Sequence, residues 1–181
     1  MKWVRRITTY VRHLKMILRL GASGTRGTLY DVKERCIMFE NTVISIIKKK
    51  FEVEGNPTRI PLLLGHKSFE AKLSKEGIYV DNLGSSPFLP WQIFIETVRL
   101  LQEKGGRAKK GNAMNYKLGE SGLPIDSVEG NIAIKVYSKQ IGESVFRRIT
   151  PVACILIWAG ICQHEPNFLE FKENMVIEEK E

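Results

Sequence analysis

Apolar residues recur every three or four positions in several stretches of the chain, which is the spacing of one face of an α-helix. This pattern predicts an amphipathic helix over residues 3–20, with basic residues between the apolar positions. Residues 21–27 contain Gly and Ser and are typical of a flexible linker. A second helix, about five turns long, is predicted from a capping box at residues 28–31 to the lysine run at 48–50.

The pattern changes to alternation between residues 58 and 83. A short apolar run at 60–64 is followed by Phe69 and Ala71, which alternate with Glu70 and Lys72. A turn at 74–77 leads to further apolar positions at 78 and 80. Alternation on both sides of a turn predicts a β-hairpin with one half-buried face.

Three further helical stretches follow the hairpin. One is predicted from Trp91 to Lys104, ended by the glycines that come next. Another begins at residues 126–129, and the last begins with Thr150 as N-cap and Pro151 at the first helical position and ends at Gly160. With one more helical turn expected around 145–149, the segment 126–160 suggests a helix-turn-helix or winged-helix-like module.

These elements together predict a helix-rich α+β fold in one domain, with a small antiparallel β-hairpin or sheet and a winged-helix-like arrangement. A chain of 181 residues with 43% hydrophobic residues is long enough to bury a sizeable core. We expect a basic helix or arm with its linker at residues 1–24 and a globular domain at 25–165. Residues 166–181 are expected to form an acidic tail that shields a basic site when no ligand is bound.

Positive charge is concentrated in patches, and the chain carries a formal net charge of +8. Basic patches attract polyanions, so nucleic acid is the first partner to consider and an anionic membrane surface the second. Residues 105–112 are predicted to form a basic loop, whose glycines would let backbone amides approach a phosphate backbone closely. We expect double-stranded DNA, favoured over RNA, to be bound by a regulatory or accessory protein. The candidate contacts are Arg5, Arg6, Arg12, Lys104, Arg107, Lys109, Lys110, Arg147 and Arg148.

Two alternatives from other functional classes remain open. Glu70 and Lys72 form the Glu-x-Lys pair of many magnesium-dependent nucleases, although an alternating strand would place both on its solvated face. The basic helix at 3–20 could instead dock on an acidic protein partner. That helix has three interpretations: it packs on the core, it is a binding arm, or it lies on a membrane surface.

No sequence motif indicates a cofactor, a metal site or a catalytic centre. The order of a Walker loop and the dinucleotide fingerprint are missing, and Cys162 and His164 lack the companions of a zinc site. We therefore expect no cofactor and no metal, and the lack of a catalytic motif weighs against an enzyme, with the nuclease alternative left open. No apolar run is long enough to span a membrane, no secretory signal is recognisable, and Cys36 and Cys154 lie in apolar runs. These features predict a cytoplasmic protein with reduced, buried thiols.

Overall fold

A computed structural model describes the backbone of residues 29–172 and the side chains of residues 40–172. Residues 40–171 form a compact unit. Apart from the beginning of the first helix, all elements below belong to this unit. They combine helices with small antiparallel sheets, which confirms the predicted α+β fold.

The first helix, α1, spans Leu29–Glu54 and is longer than predicted. It buries Val43, Ile47 and Phe51, which follow one another at steps of four and therefore lie on one face. The lysine run at 48–50 lies inside this helix, one turn before its end, and the last turn carries no basic residue. The prediction that the lysines mark the helix C-terminus is therefore wrong, because Phe51 continues the buried face beyond them.

The predicted hairpin is confirmed as part of a four-stranded antiparallel meander. Its strands are β1 (Thr58–Pro61), β2 (Ser68–Leu73), β3 (Gly77–Val80) and β4 (Phe88–Pro90), in the order β1-β2-β3-β4, with a 3₁₀ turn at Asp81–Leu83. Phe69 and Ala71 are buried while Glu70 and Lys72 are exposed, as the alternation predicted. The apolar run at 60–64 is only partly a strand, because Leu62, Leu63 and Leu64 follow β1 as a connecting loop.

The helix predicted after the hairpin is confirmed as α2, Trp91–Glu103. It is buried on most of its circumference, and the indole Nε1 of Trp91 donates a hydrogen bond to the Lys75 carbonyl at 2.9 Å. This bond ties the start of α2 to the turn between β2 and β3. A second small sheet, whose first strand follows α2 in the chain, packs on this helix.

The second sheet consists of β5 (Arg107–Lys109), β6 (Cys162–Glu165) and β7 (Phe168–Phe171), in the order β5-β7-β6. The sequence predicted a loop at β5 and a tail from residue 166. Both expectations fail here because strands of three or four residues need a pairing partner to be stable. The predicted domain limit at 165/166 falls between the paired strands β6 and β7.

The last two helices are α3 (Val128–Lys135) and α4 (Ile149–Trp158). Residues 136–148 connect them without the helical turn predicted around 145–149. The turn of a helix-turn-helix has roughly three or four residues, so this connection is too long for the predicted helix-turn-helix. The α3 helix packs mainly on α2.

The start and end of α4 differ in how well they were predicted. Gly160, with a φ of +78°, follows the helix end as expected for a glycine that takes a left-handed conformation. The helix begins with Arg148 as N-cap, two residues before the predicted Thr150, and the Arg148 side chain makes no capping bond. A side chain from another helix supplies that bond, as described below.

Within the described part of the chain, Cys154 and Cys162 are free and buried, as predicted. Burial in apolar surroundings raises the pKa of both thiols, so neither is poised to react as a thiolate. Cys36 precedes the residues whose side chains are described.

Candidate functional site

Two of the basic segments identified in the sequence meet at one cleft of about 930 Å³. Lys109 ends β5 and Lys110 follows it, while Arg147 lies just before α4, and all three line the cleft. His164 of β6 lines the same cleft. The pairing of β5 with β7 brings Lys109 opposite Phe168, which places the basic segment beside the β6–β7 turn.

Glu129, in the first turn of α3, holds the two basic segments together. Its Oε1 accepts hydrogen bonds from the backbone N–H groups of Arg148 at 2.7 Å and Ile149 at 3.2 Å, and its Oε2 accepts one from Ala113 at 3.0 Å. The backbone N–H of Glu129 in turn donates to the Lys110 carbonyl at 3.0 Å. One buried side chain therefore caps α4 and fixes the segment that follows Lys110.

Glu129 is almost completely buried, since only 1% of the residue is exposed, and this burial affects the pKa of its carboxyl group. Desolvation raises the pKa of its carboxyl group, and the three backbone N–H donors and the charge of Arg147 oppose that rise. Because a buried carboxylate without partners is costly, these donors are what allow the group to lie inside the fold.

Lys110 is held at the wall of the cleft by a backbone carbonyl and an imidazole nitrogen. Its Nζ donates to the Glu165 carbonyl at 2.8 Å and lies 3.2 Å from His164 Nδ1. Partial burial lowers the pKa of Lys110, and the nearby Cys154 and Glu165 oppose that change. Among the described residues, no carboxylate forms an ion pair with the Lys110 ammonium group, and an ammonium group has three protons to donate.

The lining of the cleft is positive. Lys109, Lys110 and Arg147 are its cationic residues, and no Asp or Glu occurs among the described residues that line it. Glu165, which lies in sequence between the lining residues His164 and Pro166, directs its carboxylate to Arg107 outside the lining. An anionic ligand would therefore meet cations here, and the described lining supplies no carboxylate that competes with it.

The rest of the lining is apolar or carries side-chain amides and hydroxyls. The apolar members are Leu62, Leu63, Leu64, Met114, Pro124, Ile149, Ala153, Pro166 and Phe168. The amides and hydroxyls belong to Asn112, Asn115, Asn167, Ser121 and Thr150. A concave, largely apolar site with a few convergent polar groups is the usual form of a ligand-binding site.

The other candidate contacts among the described residues, Lys104, Arg107 and Arg148, lie outside this lining and have intramolecular partners. Lys104 pairs with Asp126 at 2.6 Å and thereby lowers the pKa of that carboxyl group. Arg107 pairs with Glu165, and its guanidinium lies 4.0 Å from the centre of the Phe168 ring.

Arg148 differs from its neighbour Arg147 in having aromatic partners. Its guanidinium carbon lies 3.9 Å from the ring centre of Tyr137 and 4.7 Å from that of Phe146. These contacts hold Arg148 against the protein and away from the cleft lining. The predicted contacts Arg5, Arg6 and Arg12 lie outside the described residues.

The residues of the nuclease alternative do not lie at the cleft either. Glu70 and Lys72 stand on the exposed face of β2, where Glu70 is paired in register with Arg59 and Lys72 with Tyr79. Across the described residues, no group of three or more His, Cys, Asp or Glu side chains could hold a metal ion. The geometry therefore offers no ligand cluster around this pair.

Sequence reasoning missed Glu129, His164 and the loop of Leu62, Leu63 and Leu64. An acid in the first turn of a helix already has a local explanation, since it complements the dipole of its own helix. Because of that local explanation, sequence reasoning did not assign Glu129 to the cap of α4. Nothing in the local pattern marks His164 or the leucine loop as neighbours of the basic segments.

Comparison with protein-family models, with curated protein sequences and with solved structures finds no match to this chain. Among the described residues, no helix is both long enough and apolar enough to cross a membrane.

Proposed function

We propose that this protein binds nucleic acid through phosphate contacts made in the basic cleft. One observation carries the proposal: Lys109 and Lys110 from one segment and Arg147 from another line one concave site whose described lining contains no carboxylate. Lysine and arginine are the side chains that most often contact phosphates, arginine through its fork of donors and lysine as a point charge.

The partners of the neighbouring cations support the same choice of residues. Lys104 and Arg107 form ion pairs with carboxylates, and a phosphate would have to compete with those partners. Lys109 and Arg147 are exposed, and no carboxylate among the described residues pairs with either. The phosphate contacts are therefore assigned to Lys109, Lys110 and Arg147 rather than to all the basic residues of the sequence.

The experiment is fluorescence anisotropy with a labelled oligodeoxynucleotide, titrated with the full chain over a salt series. The test variant is Lys109→Ala with Arg147→Ala, and the matched control is Lys75→Ala with Lys135→Ala, two exposed lysines outside the cleft lining. Both double variants lower the net charge by two. Circular dichroism and thermal unfolding check that each variant is folded.

We expect the cleft variant to bind more weakly and with a shallower salt dependence than the control. Each lost phosphate contact should reduce the slope of log K against log salt by about 0.7 on a single strand or about 0.9 on a duplex. Two lost contacts should therefore reduce it by about 1.4–1.8. Equal affinities and slopes for the cleft variant and the control would contradict the assignment, and no binding at low salt would contradict the proposal as a whole.

A further inference from the structure

The basic cleft combines cations with apolar side chains that stand in solvent. Leu64 is 80% exposed and Met114 is 68% exposed, although both line the cleft. The Arg147 Nη1 atom lies 3.9 Å from the Met114 Sδ atom, so a cation and an apolar side chain are in contact. A ligand that neutralised Arg147 would therefore lie beside apolar surface as well.

The apolar part of the lining continues into the interior of the cleft. Ile149 and Ala153 contribute to it from successive turns of α4, and Phe168 contributes from β7. Both Ile149 and Ala153 belong to the buried core, so this part of the lining is fixed by packing. A purely ionic ligand such as polyphosphate would leave the exposed apolar side chains of the lining, Leu64 and Met114, without a partner.

Double-stranded nucleic acid exposes few groups that could pack against the apolar side chains of the cleft. In a duplex the faces of the bases are stacked on one another, and a protein meets phosphates, sugars and the base edges in the grooves. In a single strand the bases can leave the stack and bury their faces against side chains, while the phosphates stay at cationic residues.

Polar side chains suited to base edges line the same cleft. The side-chain amides of Asn112, Asn115 and Asn167 can each donate and accept, as the edges of unpaired bases require. Asn112 uses its Oδ1 to accept the backbone N–H of Met114 at 3.2 Å, which leaves its amide donors for a ligand. The cleft thus presents cations, apolar surface and amides within one concavity.

We infer that this cleft binds unpaired nucleotides, so that the preferred ligand is single-stranded nucleic acid rather than the duplex suggested by the charge of the sequence. The inference rests on the proposed function and specifies its ligand. Phosphates of the strand contact Lys109, Lys110 and Arg147, and at least one base lies against the apolar lining that includes Leu64 and Met114.

The test compares one labelled oligodeoxynucleotide of mixed sequence as a single strand and annealed to its complement. Fluorescence anisotropy is measured with the full chain at equal salt, and inorganic polyphosphate serves as a competitor. The variant Leu64→Ser with Met114→Ser removes exposed apolar surface, so it should not disturb folding. Val53→Ser is the matched control, because Val53 is also 80% exposed and does not line the cleft.

We expect the single strand to bind at least about tenfold more tightly than the duplex, although the duplex has the higher charge density. Leu64→Ser with Met114→Ser should weaken single-strand binding several-fold, leave the salt slope unchanged and leave duplex binding unchanged. Val53→Ser should behave like the wild-type protein.

The possible failures are distinguishable. If duplex and single strand bind equally, or if polyphosphate competes as well as the unlabelled strand, the inference is wrong while nucleic-acid binding stands. The same holds if Leu64→Ser with Met114→Ser has no effect on single-strand affinity. If neither form binds at low salt, the proposed function is wrong and the inference falls with it.

Discussion

Replacing Glu129 by Gln should destabilise the fold, although the two side chains have nearly the same shape. The Glu129 carboxylate receives three backbone N–H groups, from Ala113, Arg148 and Ile149, at distances of 2.7 to 3.2 Å. A glutamine has one accepting oxygen, and its amide nitrogen only donates. In either orientation at least one backbone donor then faces another donor inside the protein.

The magnitude follows from counting the donors. With its oxygen towards Arg148 and Ile149, the glutamine leaves the Ala113 N–H without an acceptor, which costs about 1–3 kcal/mol. The opposite orientation leaves two donors unsatisfied and is less favourable. Removal of the buried charge offsets part of this cost, because burial itself raises the pKa of Glu129. We therefore expect Glu129→Gln to lower the free energy of unfolding by about 2 kcal/mol.

The assay is equilibrium unfolding in urea, followed by tryptophan fluorescence and far-ultraviolet circular dichroism. With a urea slope of about 2 kcal/mol per molar, a loss of about 2 kcal/mol moves the midpoint down by about 1 M. Glu103→Gln is the control, because Glu103 is exposed at the end of α2 and its replacement should leave the midpoint unchanged. A Glu129→Gln midpoint equal to that of the wild-type protein would refute the role assigned to this carboxylate.

Two further predictions concern α3, the helix that contains Glu129. Gly130→Ala should lower the free energy of unfolding by about 1–3 kcal/mol, because a Cβ atom there would lie 2.2 Å from the Pro124 carbonyl oxygen. Ordinary helix propensity predicts the opposite sign, so a higher melting temperature for this variant would disprove the close contact. The raised pKa of Glu129 means that the folded state binds a proton more tightly than the unfolded state. Its contribution to stability should therefore be greatest below the ordinary glutamate pKa and fall as pH rises through the folded pKa. The measurement is the difference between the urea midpoints of the wild type and Glu129→Gln across pH, because the lowered pKa values of Asp126 and Glu143 affect both proteins alike.

The sequence by itself determined the elements whose signals are local. Apolar positions at helical spacing defined α2, and alternation at Phe69 and Ala71 defined the hairpin, because these periodicities are set by the geometry of one element. The glycine after α4 was equally readable, since a left-handed residue at a helix end is a local requirement. The clustering of basic residues was visible as well.

Only the tertiary structure decided which of these pieces meet. The strand β5 forms because β7 pairs with it, although the two strands are far apart in the chain. In addition, Arg107 of β5 is bound by the carboxylate of Glu165 in β6, which lies 58 residues away. The cap of α4 comes from Glu129, 19 residues before Arg148, so the helix begins earlier than its own sequence indicates. The physical reason is that strand pairing and hydrogen bonds between distant residues depend on chain closure, which no local period records. The basic cleft is a product of those long-range contacts.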